Sequence, residues 1–172
     1  MKLFHVSEQK DIETFEPRMP PSPGSKISTP VVWAVDEAHL GNYLLPRECP
    51  RVAFYATEET TQADQLHFFG SGGASAHVVA IESAWLGRAA TTELCMYEFP
   101  ERSFVCADRT AGYFVSQAPV IPRSRRLVTQ PLQFLTELGY ELRTFSSLRS
   151  LAEQVASSSL AFSCIRMRNA VA

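Results

Sequence analysis

Arginine side chains are the groups in this sequence best suited to binding a charged ligand. Arg18 lies in a proline-rich stretch, and Arg47 and Arg51 flank Cys49-Pro50. The guanidinium group offers a planar fork of donors that matches a diphosphate. Two denser groups follow later in the chain and consist of Arg123, Arg125 and Arg126, and of Arg166 and Arg168. Each group indicates either a phosphate or RNA contact or a solvated surface.

Histidine and cysteine, the usual metal ligands, lack the spacing of a metal site. They are His5, His39, His67 and His77, with Cys49, Cys95, Cys106 and Cys164. No Cys-x-x-Cys pair and no His-Glu-x-x-His segment occurs, so the sequence predicts no metal. Four scattered cysteines also do not form a disulfide framework, which favours a reducing cytoplasm. Cys95 and Cys106 lie in apolar runs and are expected to be buried.

Common phosphate-binding and hydrolase motifs are absent as well. The cluster Gly70-Ser71-Gly72-Gly73 lacks the Gly-Lys-Ser/Thr ending of a P-loop and the third glycine of a dinucleotide fingerprint. No Gly-x-Ser-x-Gly elbow is present. We therefore interpret the glycine cluster as a turn.

Length and composition predict one globular domain over residues 1–172. The chain is 45% hydrophobic and 20% charged, which is ordinary for a folded domain. Its formal net charge of -2 gives no general attraction for a polyanion. Apolar runs are too short to cross a bilayer, and Met1–Val6 has no signal-peptide core. We expect a cytoplasmic protein with no membrane partner.

The first third of the chain predicts strand, loop, strand and helix. Lys2–Ser7 is short and apolar, as in a strand. Five prolines between residues 16 and 30 exclude a helix or a central strand there. Val31–Val35 is a β-branched run, and Asp36 is placed to cap a helix over Glu37–Leu45.

The rest of the chain predicts short strands followed by helices. Strands are expected at Arg51–Ala56, His77–Glu82, Glu93–Phe99, Phe104–Ala107, Tyr113–Gln117 and Leu160–Met167, and helices around Leu132–Leu138 and Leu148–Val155. Such an order favours an α+β domain with a mixed or mostly antiparallel sheet and a few peripheral helices. A doubly wound parallel sheet is disfavoured.

Three segments together carry a resemblance to a known superfamily. They are the strand Leu3-Phe4-His5-Val6-Ser7, the unit Val31–Leu45 with Tyr43 in its helix, and the later segment Gly112–Pro122. The chain resembles the ADP-ribosyltransferase superfamily at these points. The resemblance implies an ADP-ribosyltransferase-like fold and NAD as the cofactor.

The resemblance also implies roles for individual residues. A histidine on the first strand of that superfamily bonds a ribose hydroxyl of NAD, and the matching residue is His5. Tyr43 matches the aromatic residue near the nicotinamide. Tyr113 occupies the place where many members carry the catalytic glutamate, so activity is expected to be weak or absent. The implied cofactor site comprises His5, Ser7, Arg18, Tyr43, Arg47 and Ser116, with Tyr113 as the catalytic position.

The leading hypothesis is thus a protein that binds NAD or an ADP-ribose-like nucleotide. Any catalysis would be ADP-ribosyl transfer, with cleavage of the nicotinamide–ribose bond. A first alternative is a module for RNA ends or phosphate, similar to RNA 2'-phosphotransferases. A second is a non-enzymatic interaction protein that docks through its proline-rich loop. The whole chain also resembles a small uncharacterised bacterial family of similar length.

Overall fold

Ten β-strands and four α-helices form in residues 1–20, 27–72 and 77–171, the part of the chain that the computed structural model describes. The strands are β1 (Leu3–Ser7), β2 (Val32–Asp36), β3 (Arg51–Tyr55), β4 (Val78–Glu82), β5 (Leu94–Phe99), β6 (Val105–Asp108), β7 (Tyr113–Ser116), β8 (Ser124–Val128), β9 (Glu141–Phe145) and β10 (Ala161–Ile165). The helices are α1 (Gln62–Phe69), α2 (Leu86–Thr91), α3 (Pro131–Glu137) and α4 (Arg149–Ala156).

Two compact units divide these elements. The first unit comprises Met1–Leu40 and Glu93–Val128, and the second comprises Gly41–Thr92 and Thr129–Ala172. Each unit contains its own sheet. The α+β class with mostly antiparallel sheets is therefore confirmed.

The sheet of the first unit has the order β6-β7-β2-β1-β5-β8, and every pairing in it is antiparallel. One face carries a core that contains three buried aromatic rings. Its buried members are Leu3, Phe15, Val32, Ala34, Cys95, Tyr97, Phe99 and Val120. His5 lies on this same face, because it is two residues from Leu3 and opposite Tyr97 in the register.

The sheet of the second unit has the order β10-β3-β4-β9, with only the β4–β9 pairing parallel among the strands described. Its core joins the sheet to α1 and α4 through Phe54, Phe68, Leu148, Leu151 and Val155, among others. Glu82 is buried at the end of β4. Its Oε1 accepts hydrogen bonds from the backbone N–H groups of Leu148 and Val171, at 3.3 and 2.9 Å.

The two outer strands of the six-stranded sheet are both exposed. All four residues of β6 are exposed, and its pairing with β7 is irregular between Cys106 and Asp108. Strand β8 is exposed from Ser124 to Leu127 and carries Arg125 and Arg126. Both edges of this sheet therefore face solvent.

Several elements differ from the sequence expectations. The segment after Asp36 is a 3-10 helix, Glu37–Tyr43, rather than an α-helix. Helix α1 lies in a polar stretch where we predicted no element, and β8 and β9 were not predicted either. The predicted turn at Gly70–Gly73 begins as a short 3-10 helix, and Gly73 lies outside the described residues. No helix in the described ranges is long and apolar enough to span a membrane.

The junction between β2 and the 3-10 helix depends on one glycine. Asp36 Oδ1 accepts a hydrogen bond from the His39 backbone N–H at 2.9 Å and also contacts His39 Nδ1 at 2.6 Å. Gly112 packs directly against this pair. A Cβ atom on Gly112 would lie 2.2 Å from His39 Nδ1, and its φ of +67° is in the left-handed region.

We predict that Gly112→Ala destabilises the protein by about 3 kcal/mol. A left-handed residue with a side chain costs about 1–2 kcal/mol, and forced overpacking adds about 1–3 kcal/mol. Urea denaturation measures the loss. Gly139→Ala is the matched control, because Gly139 has a φ of +83° but a Cβ atom added there would meet nothing within 4 Å. Equal losses in both variants would contradict the steric explanation.

Candidate functional site

His5 is the best-defined of the predicted ligand contacts. It is half-buried in β1, and its Nδ1 lies 3.0 Å from the backbone carbonyl oxygen of Trp33. A carbonyl oxygen can only accept, so Nδ1 carries a hydrogen, and when the ring is neutral Nε2 is its acceptor nitrogen. The ring packs at 4.9 Å from Phe15 and 6.3 Å from Phe99, measured between ring centroids.

Hydrogen bonds hold the segment before the proline-rich stretch in place near His5. Phe15 exchanges two backbone hydrogen bonds with Val120, at 2.8 and 3.0 Å. The hydroxyl of Tyr97 donates to the carbonyl of Gln9 at 2.8 Å and accepts from the N–H of Ile12 at 3.1 Å. Burial is the largest cause that raises the pKa of Tyr97, so the phenol keeps its proton and its bond to Gln9. These bonds hold the aromatic surroundings of the imidazole in place.

The other polar residues predicted in the first unit have different environments. Ser7 Oγ accepts a hydrogen bond from the Gln9 backbone N–H at 3.1 Å. Ser116 is buried, and its hydroxyl bonds both the carbonyl and the N–H of Ala118, at 3.0 and 3.3 Å. Ser116 therefore closes a turn. Arg18 is exposed, and its backbone pairs with Val31 next to β2.

Tyr113 lies on a strand close to His5 but points the other way. Strands β1 and β7 both pair with β2, so the two residues are on near strands. Tyr113 is opposite Val35, which is opposite Phe4, and Phe4 and His5 alternate in direction along β1. The Tyr113 ring packs edge-on against Trp33 at 5.8 Å. The register brings the strands together and places the two side chains on opposite faces.

Tyr43 and Arg47 belong to the second unit. The half-buried ring of Tyr43 lies 5.7 Å from the guanidinium carbon of Arg51. Arg51 is 3% exposed, and its Nη1 donates to the Pro46 carbonyl at 3.2 Å. The ring of Tyr43 therefore makes a cation–π contact with the buried guanidinium group of Arg51.

Arg47 is part of a cluster that the sequence did not reveal as one site. We define the Glu48 cluster as Glu48 with Arg47, Arg166, Arg168 and Asn169. Glu48 oxygens lie 4.0 Å from Arg47 Nε, 3.7 Å from Arg166 Nε and 3.3 Å from Arg168 Nη2. Asn169 Nδ2 donates to the Glu48 backbone carbonyl at 2.7 Å and to Oε2 at 3.0 Å. The Asn169 hydrogen bond is the largest cause that lowers the pKa of Glu48, and Arg166 and Arg168 lower it further.

A shallow groove between α1 and α4 is a further concave feature of the second unit. It has a volume of about 380 Å³ and is lined by Asp64, His67, Ser150 and Glu153, among others. Its polar groups pair within the second unit: Asp64 accepts from Ser159, and His67 Nε2 lies 3.4 Å from Gln154 Oε1. No three His, Cys, Asp or Glu side chains in the described ranges are placed to hold a metal ion.

The cysteines divide by burial. Cys49 and Cys95 are buried, and burial raises the pKa of the Cys49 thiol to about 11. Such a thiol is a poor nucleophile. Cys106 is exposed on the edge strand β6, so the expectation that it is buried is wrong.

One pair of polar side chains was predicted only in part. Asp36 was expected to cap a helix, and its bond to the His39 N–H is of that kind. Its second contact, to the imidazole of His39, was not predicted, although the Asp-x-x-His spacing is visible in the sequence. His39 is 6% exposed. The Asp36–His39 pair stabilises the turn after β2, and Gly112 packs directly against this pair.

The protein is thus an α+β protein with two mostly antiparallel sheets, and polar clusters lie in both units. Residues 4–170 match DUF6886, a family of unknown function, and the chain belongs to that family. No curated protein and no solved structure matches the chain. The matched range includes His5 and the whole Glu48 cluster.

We predict that Glu48→Gln lowers the melting temperature at pH 7 by about 2 °C, a small effect because the ion pairs are partly exposed. The folded-state pKa of Glu48 is lowered from 4.5, so its stabilisation is present above about pH 4.5. It is lost as the pH falls through the lower folded value. The difference between the two proteins should therefore shrink in acid. Thermal melts from pH 3 to 7 measure it, and Glu58→Gln, an exposed change in the same unit, is the control.

Proposed function

We propose that the protein binds NAD or an ADP-ribose-like nucleotide on an ADP-ribosyltransferase-like fold, and that its catalytic activity is weak or absent. The observation that carries this proposal is the fixed imidazole of His5. The ring is half-buried on the first strand, and its Nδ1 donates to the Trp33 carbonyl.

The chemistry of this imidazole suits a ribose hydroxyl. With Nδ1 as the donor, Nε2 of the neutral ring can accept a hydrogen bond from an O–H group. Phe15 and Phe99 surround the ring with apolar surface, where a hydrogen bond is stronger than in water. A sugar hydroxyl next to a flat base or nicotinamide ring combines the polar and apolar contacts that such a position offers.

The strand arrangement also supports the proposal. The superfamily resemblance relies on the first strand, the strand that precedes the helix, and a later strand. These are β1, β2 and β7, and they are consecutive neighbours in one sheet. These segments are far apart in the sequence, so the adjacency of the three strands in one sheet supports the resemblance.

Tyr113 is the reason why we expect weak or no catalytic activity. A phenol supplies no carboxylate charge to stabilise a ribose that becomes cationic as its bond to nicotinamide breaks. The ring of Tyr113 also packs on Trp33, on the face opposite His5. Binding in this proposal therefore depends on His5, and Tyr113 does not contact the ligand.

We predict that NAD or ADP-ribose raises the melting temperature by about 5–10 °C at a hundredfold excess over its dissociation constant. His5→Asn should weaken binding about 2- to 10-fold, because its amide nitrogen can replace Nδ1 but nothing replaces Nε2. Calorimetry with NAD, ADP-ribose, adenosine and nicotinamide measures the affinities.

His5→Gln is the matched comparison, since its longer amide reaches the position of Nε2 rather than that of Nδ1. It should retain more affinity than His5→Asn and lose more stability. A flat response to every nucleotide at millimolar concentration would remove the proposal. Equal affinities in the wild type and both variants would show that His5 is structural.

We also predict that the wild-type protein releases no nicotinamide from NAD above the rate in buffer, and that Tyr113→Phe leaves NAD affinity unchanged. The reason is the missing carboxylate and the position of the ring. A nicotinamide-release assay beside calorimetry tests both statements. Rapid turnover in the wild type that disappears in Tyr113→Phe, with binding intact, would make this tyrosine a catalytic residue.

A further inference from the structure

We propose that the Glu48 cluster is a binding site for the phosphate or diphosphate group of a small molecule. The cluster lies wholly within the second unit and shares no residue with the His5 surroundings. The phosphate proposal therefore does not rest on NAD binding at His5.

The charges of the cluster favour an anionic ligand. Guanidinium nitrogens of Arg47, Arg166 and Arg168 all lie within 4.0 Å of the Glu48 carboxylate, so three guanidinium groups are gathered at one place on the surface. Arg166 Nε lies 3.7 Å from Glu48 Oε1, longer than a normal N–H···O hydrogen bond. Side-chain exposures of 66% for Arg47 and 54% for Arg168 leave both accessible to a ligand in solution.

The backbone that presents these groups has an uncommon conformation. Strand β10 ends at Ile165, and Arg166 follows with a φ of 56° and a ψ of 28°. Among the described residues, it is the only non-glycine residue with a positive φ. This conformation turns the chain so that Arg166, Arg168 and Asn169 all reach Glu48. Strained backbone that persists in a folded protein is frequently found at binding sites.

Hydrogen bonds also make the cluster rigid. Asn169 donates to both the backbone carbonyl and a carboxylate oxygen of Glu48, which fixes that residue from two directions. Arg168 Nη2 also donates to the Glu48 carboxylate. Guanidinium groups that are already oriented lose less conformational freedom when a ligand binds.

The size of the cluster selects the ligand. Its residues come from two short segments, 47–48 and 166–169, and they make one compact positive patch. The formal net charge of -2 gives the chain no general attraction for a polyanion such as a nucleic acid. Guanidinium forks match the oxygens of phosphate particularly well. One or two linked phosphate groups on a small molecule fit these facts better than RNA.

Calorimetry with pyrophosphate at low ionic strength tests the proposal. We expect the wild type to bind pyrophosphate with a dissociation constant below about 1 mM. Arg168→Gln and Arg166→Asn should each weaken it about tenfold, equivalent to about 1.4 kcal/mol. Asparagine is chosen at 166 because it tolerates left-handed backbone. Arg102→Gln, which removes one exposed charge from the first unit, should bind like the wild type.

Glu48→Gln keeps the arginines and removes the competing carboxylate, so it should tighten pyrophosphate binding several-fold. Comparison of ADP, pyrophosphate, inorganic phosphate and adenosine separates a nucleotide from a free phosphate source, and adenosine should not compete. His5→Asn should bind pyrophosphate normally, which distinguishes this site from the one at His5. Absence of pyrophosphate binding, equal weakening in Arg102→Gln, or binding of 5'-phosphorylated RNA alone would overturn the proposal.

Discussion

The antiparallel register of β1 between β2 and β5 is the constraint on which the first unit depends. Leu3 is opposite both Asp36 and Phe99, and His5 is opposite Tyr97. A slip by one residue would move every side chain of β1 to the other face of the sheet. The observed register buries Leu3 in the aromatic core and places the imidazole of His5 beside it. The hydrogen bond from Nδ1 to the neighbouring strand then fixes the chemistry of the ring.

The sequence predicts individual strands more readily than it predicts which strands pair and in which register. Strands β1 and β2 are rich in apolar and β-branched residues and are bounded by polar or proline-rich segments, so both were predicted to within one residue. Strand β8 reads Ser-Arg-Arg-Leu-Val and is exposed, so its sequence carries little strand signal, and only its pairing with β5 makes it one. Helix α1 has a weak apolar pattern, although Thr61, which accepts from the Asp64 N–H, marked its start.

For the candidate sites, the sequence predicts several of the individual residues but not which of them come together. The sequence predicts Arg166 and Arg168 as a pair and Arg47 separately as charged contacts, but it does not single out Glu48 as a site residue. A carboxylate that joins segments more than a hundred residues apart has no local signature, because only the folded chain brings them together. The relation of His5 to Tyr113 was likewise hidden. Whether two residues on different strands share a face depends on the pairing register, which no single strand encodes.

The exposed edges of the six-stranded sheet have a consequence for the protein in a crowded cell. An open strand edge offers unpaired backbone groups to any other chain, and proteins counter this with charges or bulges. Here β8 carries Arg125 and Arg126, and β6 is interrupted between Cys106 and Asp108. The two arginines thus have a role that requires no ligand. Their positive charge disfavours the pairing of this edge with a strand of another molecule, and so opposes aggregation.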